Sequence, residues 1–215
     1  MRSGRGLPAR PAVVAAVGGR RGLTPDRRTG TLARMPEPTL RLATPADAPE
    51  IDALMKASIR AIFPAFYTAQ QTASSEVHIG HVDPMLIEDG TYLVLVSPDD
   101  GSIVACGGWS RRDKLFSGES AQEGRARLLD PATEPARVRA MFVRADRTRR
   151  GLGTRILDAC EAAARAEGFR MLSLMATLPG LLLYERFGFT VRSHGPITLP
   201  DGVLVDCAAM DKPIS

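Results

Sequence analysis

Two arginines and two glycines sit together where a strand pattern gives way to a helix pattern, in Arg149-Arg150-Gly151-Leu152-Gly153. A helix begins with backbone N–H groups that lack partners and with a partial positive charge. Glycine lets a ligand approach that backbone closely, and arginine adds full charges beside it. Such a turn suits a di- or polyphosphate group. The same residues also suit an ordinary strand–turn–helix connection whose arginines face solvent. Spacing excludes two phosphate-binding motifs. A P-loop carries lysine and then Ser or Thr after its last glycine, whereas Gly153 is followed by Thr154-Arg155. A dinucleotide fingerprint carries a third glycine three residues after the second, where this chain has Ile156.

The flanking elements follow from periodicity. Arg137 to Val143 alternates charged and apolar residues before Met141-Phe142-Val143, which predicts a strand. After the turn, Ile156, Leu157, Cys160, Ala163 and Ala164 share one helical face, with Arg155, Asp158, Glu161 and Arg165 opposite. Gly168 is a good C-terminal stop. Arg170 to Ala176 then reads as a strand, and Thr177 with Pro179 starts a short helix that carries Tyr184.

Thr148-Arg149-Arg150-Gly151-Leu152-Gly153 resembles the acyl-CoA-binding motif of the GCN5-related N-acetyltransferase (GNAT) family, Gln/Arg-x-x-Gly-x-Gly/Ala. Thr148 departs from it at the first position, which affects a side-chain contact and not the backbone cradle. Leu181-Leu182-Leu183-Tyr184-Glu185-Arg186-Phe187-Gly188-Phe189 resembles the family's later helix-then-strand signature. The likeness extends over roughly residues 39 to 213. It implies an α/β (α+β) fold: a mixed, mostly antiparallel sheet with a splayed parallel strand pair, flanked by helices. It also implies residue roles. The backbone of Met141, Phe142 and Val143 would run antiparallel to the pantetheine arm of acetyl-CoA, one N–H polarising the thioester carbonyl. Backbone amides across Arg149, Arg150, Gly151, Leu152, Gly153 and Thr154 would hold the pyrophosphate. Tyr184 would give a proton to the departing thiolate; the alternative is a core tyrosine among Leu181, Leu183 and Phe187, and with both motifs present the catalytic role is preferred. A neutral amine would attack the thioester directly in one ternary complex. Some family members use a glutamate on the fourth strand as base, but Arg137 to Arg144 contains no acid.

The chain has 215 residues and a formal charge of +4, unevenly placed. Residues 1–34 hold eight arginines against one acid, Asp26, an excess of seven positive charges, so the rest carries three net negative charges. The segment is rich in Gly, Arg and Pro, and disorder is predicted over residues 1–37 with one domain over 38–215. It reads as a nucleic-acid or acidic-membrane contact, as a transit sequence, or as translation from too early a start ahead of Met35; the last is favoured.

Thr39 to Ala43 alternates as a first strand. Thr44, Pro45 and Asp47 form a helix start before Ile51, Leu54, Met55, Ile59 and Ile62. A polar second helix extends to about His81. In the resembled family this helical pair walls the acceptor site, so Tyr67, Glu76, His78, His81 and Asp83 are candidate acceptor contacts, or solvated and capping residues. Gly90 to Val96 and Ser102 to Trp109 form a hairpin around Pro98-Asp99-Asp100-Gly101, and Gly107-Gly108 suggests a bulge or a close backbone approach. Residues 114–135 read as a mobile insertion. Phe189 to Ser193 and Val203 to Lys212 close the sheet.

Cys106, Cys160 and Cys207 lie apart in apolar surroundings, as buried thiols of a reducing, cytoplasmic compartment, and neither they nor the three histidines suggest a metal site. No apolar run approaches the length that spans a bilayer. The expected function is an N-acetyltransferase with acetyl-CoA as donor and a small-molecule or peptide amine as acceptor. The alternative is a non-catalytic acyl-CoA sensor on the same fold. Nucleic acid is not the expected partner. Dimers are common in the resembled family, and a homodimer is compatible with the sequence.

Overall fold

The computed structural model of the chain describes residues 37–114 and 127–214. The readings of the arginine-rich segment, and of residues 115–126 within the insertion, lie outside the described residues. The chain runs β1 (Thr39–Leu42), α1 (Ala48–Ile62), α2 (Ala69–His78), α3 (Pro84–Glu88), β2 (Tyr92–Val96), β3 (Ile103–Ser110), β4 (Ala136–Val143), α4 (Leu152–Ala166), β5 (Met171–Thr177), α5 (Leu181–Arg186), β6 (Thr190–Thr198) and β7 (Leu204–Pro213). The strands form one sheet in the order β1-β2-β3-β4-β5-β7-β6. Among the described strands only β4 and β5 pair in parallel, as the mixed fold requires.

Neighbouring strand residues feed opposite faces. Val94 packs with Ile51, Leu54 and Met55 of α1, whereas Leu95 joins Ile156, Leu157 and Cys160 of α4. This is the period-two alternation of a strand buried on both sides. A third cluster joins Ile59, Phe63 and Tyr67 to Ile197, Val205 and Cys207, tying α1 to the last hairpin.

The chain enters α1 through a built corner. Asp47 accepts from the Thr44 backbone N–H at 2.7 Å and from its hydroxyl at 2.8 Å. Arg41 grips both carboxylate oxygens at 2.7 Å. These bonds, the arginine's first, hold the Asp47 carboxyl well below its ordinary 3.8. Asp83, which caps α3 through the Met85 amide, is also lowered; burial opposes ionisation, and Lys114, Arg139 and the amide outweigh it. A carboxylate whose folded pKa is depressed stabilises the fold above its unfolded value and loses that contribution as pH falls. The melting temperature is therefore expected to hold from pH 7 to about 4.5 and to fall below about pH 4. Asp47→Asn should melt lower at pH 7 and show a shallower acid slope, as followed by circular dichroism.

Three boundaries differ from the sequence reading. The polar helix stops at His78, and α3 follows as a separate short helix capped by Asp83. Strand β6 continues to Thr198 through Pro196. It lies at the sheet edge, where proline is tolerated within a strand. The part of the insertion after residue 126 is tied down. Asp113 N–H bonds to the Arg127 carbonyl at 3.0 Å and Leu129 N–H to that of Arg111 at 2.8 Å. Arg127 also forks onto Glu134 at 2.7 and 2.5 Å.

Candidate active site

The sheet opens at its centre. β4 and β5 pair only at Ala136↔Leu172 and Arg137↔Ser173. From there β5 follows β7 as far as Thr177↔Cys207, while β4 follows β3 as far as Val143↔Ala105. Among the described residues, the β5-facing edge of β4 beyond Arg137 thus has no strand partner. Met141, Phe142 and Val143 lie on this stretch, half-buried, with an irregularity just before them at Ala140, whose φ is +51°. Ser58 of α1 donates to the Val143 carbonyl at 3.1 Å and so fixes the far end of the edge. Neither the role of Ser58 nor the depth of the opening has a sequence signature, because both depend on where β5 goes.

Helix α4 starts just past that edge. Arg149 (φ +60°) and Gly151 (φ +78°) both take the left-handed region, reversing the chain into the helix. Gly151 is the N-cap and has no side chain to cap with. The first intrahelical bond is Arg155 N–H to the Gly151 carbonyl, 3.0 Å, so helix geometry leaves the Leu152, Gly153 and Thr154 amides without an intrahelical acceptor. Arg149 and Arg150 are exposed and make no ion pair among the described residues. By contrast, Arg144 and Arg147 are engaged by Asp146.

The two glycines of this turn do different work. A Cβ at Gly151 would meet nothing within 4 Å, so its face is open to a ligand. A Cβ at Gly153 would come 2.9 Å from Leu183 Cδ2, so Gly153 admits the side chain of α5 and does not itself face outward. Leu152 is buried in the core beside it. Leu152 and Gly153 can therefore offer a phosphate only their backbone. Anionic groups match this arrangement: amides without an intrahelical acceptor, a helix dipole and two guanidinium groups with no ion pair among the described residues.

Tyr184 stands on α5 and is 8 % exposed. Its ring meets Phe189 edge-on at 5.8 Å, and Gly180 leaves room for it. The hydroxyl makes no hydrogen bond with any described residue, although a buried tyrosine usually finds one. Burial pushes the phenol pKa up, so it is a neutral donor. It keeps company with the core, as the plain sequence reading allowed, but its polar end is uncommitted.

The candidate acceptor contacts are mostly committed elsewhere. Tyr67 donates to the Asp206 carbonyl at 2.7 Å and accepts from the Leu178 N–H at 2.8 Å, joining the α1–α2 connection to the ends of β5 and β7. Glu76 pairs with Arg60 at 2.5 Å, and His78 lies 3.4 Å from Asp201. Asp83 is held between Lys114 at 2.9 Å and Arg139 at 3.1 Å. His81 is half-buried. None of these residues is an uncommitted carboxylate at the opening. An open pocket of about 390 Å³ lies between the start of α2 and the β6–β7 turn, lined by Thr68, Gln71, Asp201 and Leu204 among others. Among the described residues, no group of three or more His, Cys, Asp or Glu is placed to hold a metal. No described helix is long and apolar enough to cross a membrane.

Comparison with known proteins adds to this geometry. A model of the acetyltransferase (GNAT) family matches residues 56–189. No curated protein matches the chain. Among solved structures, the chain is similar to a GCN5-related N-acetyltransferase (also described as an aminotransferase, class-II) from Rhodopseudomonas palustris. That likeness has a TM-score of 0.63 at 20% identity and covers 84% of this chain and 98% of the other. It is also similar to the PaiA N-acetyltransferase from Thermoplasma acidophilum in complex with coenzyme A, with a TM-score of 0.56, 12% identity, and 81% and 98% coverage. Ard1 from Thermoplasma volcanium gives a TM-score of 0.51 at 15% identity, covering 82% and 97%. At these identities the likenesses show a shared fold.

Proposed function

Because the matched segment, residues 56–189 of 215, takes in more than half of it, the chain belongs to the GNAT acetyltransferase family, and from that premise we propose an acyl-CoA-dependent N-acyltransferase that moves acetyl from acetyl-CoA to a primary amine. One observation carries the reading: the unpaired edge of β4 leads directly to the uncapped first turn of α4. The two features together offer an extended row of peptide groups and then an anion site, which matches a pantetheine arm followed by a pyrophosphate.

In this reading Met141, Phe142 and Val143 receive the arm along the β4 edge and aim one N–H at the thioester oxygen. Donors placed where charge develops favour the transition state over the ground state. The amides of Leu152, Gly153 and Thr154, with Arg149, Arg150 and the open face of Gly151, hold the pyrophosphate. Acetyl-CoA supplies the activated acyl carbon. Tyr184, neutral and with a free hydroxyl, gives its proton to the leaving sulfur. The amine, a small molecule or a peptide, enters from the α1–α2 side. Neither β4 nor β5 carries an Asp or Glu, so its proton leaves through water to a group beyond those strands. That missing carboxylate is also what favours the second reading, an acyl-CoA-binding domain without turnover.

The test is thermal unfolding of the full chain with acetyl-CoA, CoA and longer acyl-CoAs. A ligand that binds only the folded state at 100 times its Kd adds about 2.7 kcal/mol of stability. For a domain of this size that is a rise of roughly 5–10 °C. Absence of a rise with every acyl-CoA and with CoA overturns the reading. A rise without turnover across an amine screen favours the binding-only alternative.

A further inference from the structure

Strand β4 breaks its regular path at one residue. Ala140 has φ +51°, a conformation that side chains other than glycine rarely adopt. The register passes from Gly108↔Arg139 to Cys106↔Phe142, so Ala140 and Met141 together face the single residue Gly107. This is a β-bulge, and a strained residue persists only where its surroundings over-determine it.

Those surroundings are specific. A Cβ at Gly107 would run into the Met141 side chain and lie 3.3 Å from the Met141 Cα, so glycine admits the bulge. The Ala140 carbonyl accepts a 2.8 Å hydrogen bond from the hydroxyl of Tyr92. Tyr92 stands on β2, two strands away, and is fully buried. It faces Gly108 in the ladder, and a Cβ on Gly108 would come 2.7 Å from Tyr92 Cδ2. The missing side chain of Gly108 lets the phenol cross β3 and reach β4. The two adjacent glycines thus serve one device, Gly107 by yielding to the bulge and Gly108 by yielding to the ring that pins it.

We propose that Tyr92 is a positioning residue: its hydrogen bond to Ala140 fixes the bulge and so aims the peptide groups of Met141 to Val143 at the donor's carbonyl. The inference rests on the acyl-CoA reading above. An ordinary core tyrosine would support the fold without touching the discrimination between acyl-CoA and CoA. A tyrosine that aims the edge bears on that discrimination directly, because only the acyl form has the carbonyl.

Isothermal titration of the full chain with acetyl-CoA and with CoA separates the two. The parent is expected to prefer acetyl-CoA about fivefold, the worth of one hydrogen bond. In Tyr92→Phe the CoA affinity should stay within about twofold, and the preference should fall to about one. Adding Ala140→Gly to Tyr92→Phe should restore much of it, since glycine takes the left-handed region freely. Ala140→Val attacks the same conformation without altering Tyr92, and serves if Tyr92→Phe does not fold. It should also lose the preference. A preference retained in Tyr92→Phe, or in Ala140→Val where that variant must stand in, overturns the inference. So does a parent that binds both ligands equally. A parent that binds neither overturns the acyl-CoA reading itself, and this inference with it.

Discussion

Gly151→Asp is expected to weaken acetyl-CoA binding at least ~100-fold and to remove the donor-induced rise in melting temperature, while the chain stays folded. The position is open: an added side chain meets nothing within 4 Å, so packing does not suffer. Its φ of +78° makes the substitution moderately unfavourable, though Asp is among the residues that tolerate this region best. The new carboxylate would stand at the start of α4, beside the amides of Leu152 to Thr154 and the guanidinium groups of Arg149 and Arg150. It would satisfy those amides itself and repel a pyrophosphate. Hydrogen bonds to a charged group contribute about 1.5–3 kcal/mol each, and losing the equivalent of two is a hundredfold or more in affinity. Gly153→Asp is a different experiment. There the side chain enters the contact with Leu183, so lost binding would be mixed with a disturbed α4–α5 junction. Equilibrium titration of Gly151→Asp alongside the parent, with unfolding curves of both, makes the check. Unchanged affinity would remove the α4 turn from the binding site.

Tyr184→Phe is expected to lower kcat by about 10²- to 10⁴-fold, the range of general acid catalysis, and to leave donor binding unchanged. Stability should hardly move, because the hydroxyl makes no hydrogen bond with any described residue and the ring keeps its contact with Phe189. The usual objection to removing a buried hydroxyl, an orphaned partner, does not arise here. Burial raises the phenol pKa above its ordinary 10.0. Tyr184 therefore stays protonated throughout the range in which the enzyme would be assayed. The basic limb of the rate profile below pH 10 should belong to some other group and persist in shape in the variant. Steady-state rates against pH, with an amine found by screening, give the answer. A variant with full kcat would make Tyr184 a core residue.

Local signals made most of the elements legible. Thr44, Pro45 and Asp47 marked a helix start, and the structure gives them a capping box on a single 3-10 turn, Pro45–Asp47, that leads into α1 with Asp47 as its N-cap. Gly101 sits at φ +73° in the turn that its Asp-Gly pair announced. Gly107 and Gly108 were readable as a bulge or close approach, and they are both, one against Met141 and the other against Tyr92. What local pattern could not supply was the partner in each case. Nothing in the residues around Tyr92 says that its hydroxyl reaches a carbonyl nearly fifty positions later. The same limit explains Gly153, whose place in a glycine-rich turn implied an open face, whereas its neighbour is a leucine from another helix. Asp83, a candidate acceptor contact, is fixed by Lys114 and Arg139, cations brought to it by the folding of distant segments. Short α3 escaped because five residues are too few to show a period.

The seam between β4 and β5 has a mechanical meaning. A sheet usually frays at its margins, yet this one is joined at its middle by two residue pairs, Ala136↔Leu172 and Arg137↔Ser173, helped by a 2.6 Å bond from the Arg137 guanidinium to the Ser173 hydroxyl. Within the sheet the strands form two narrowly joined leaves, β1 to β4 and β5 to β7, while α4 and the cluster between α1 and the last hairpin pack across both. Backbone pairing is therefore thinnest inside the sheet and not at its margin, and side-chain packing holds the leaves side by side there. A molecule lying in the opening would rivet the leaves together. Occupancy of the opening would add support at the place where backbone pairing is thinnest.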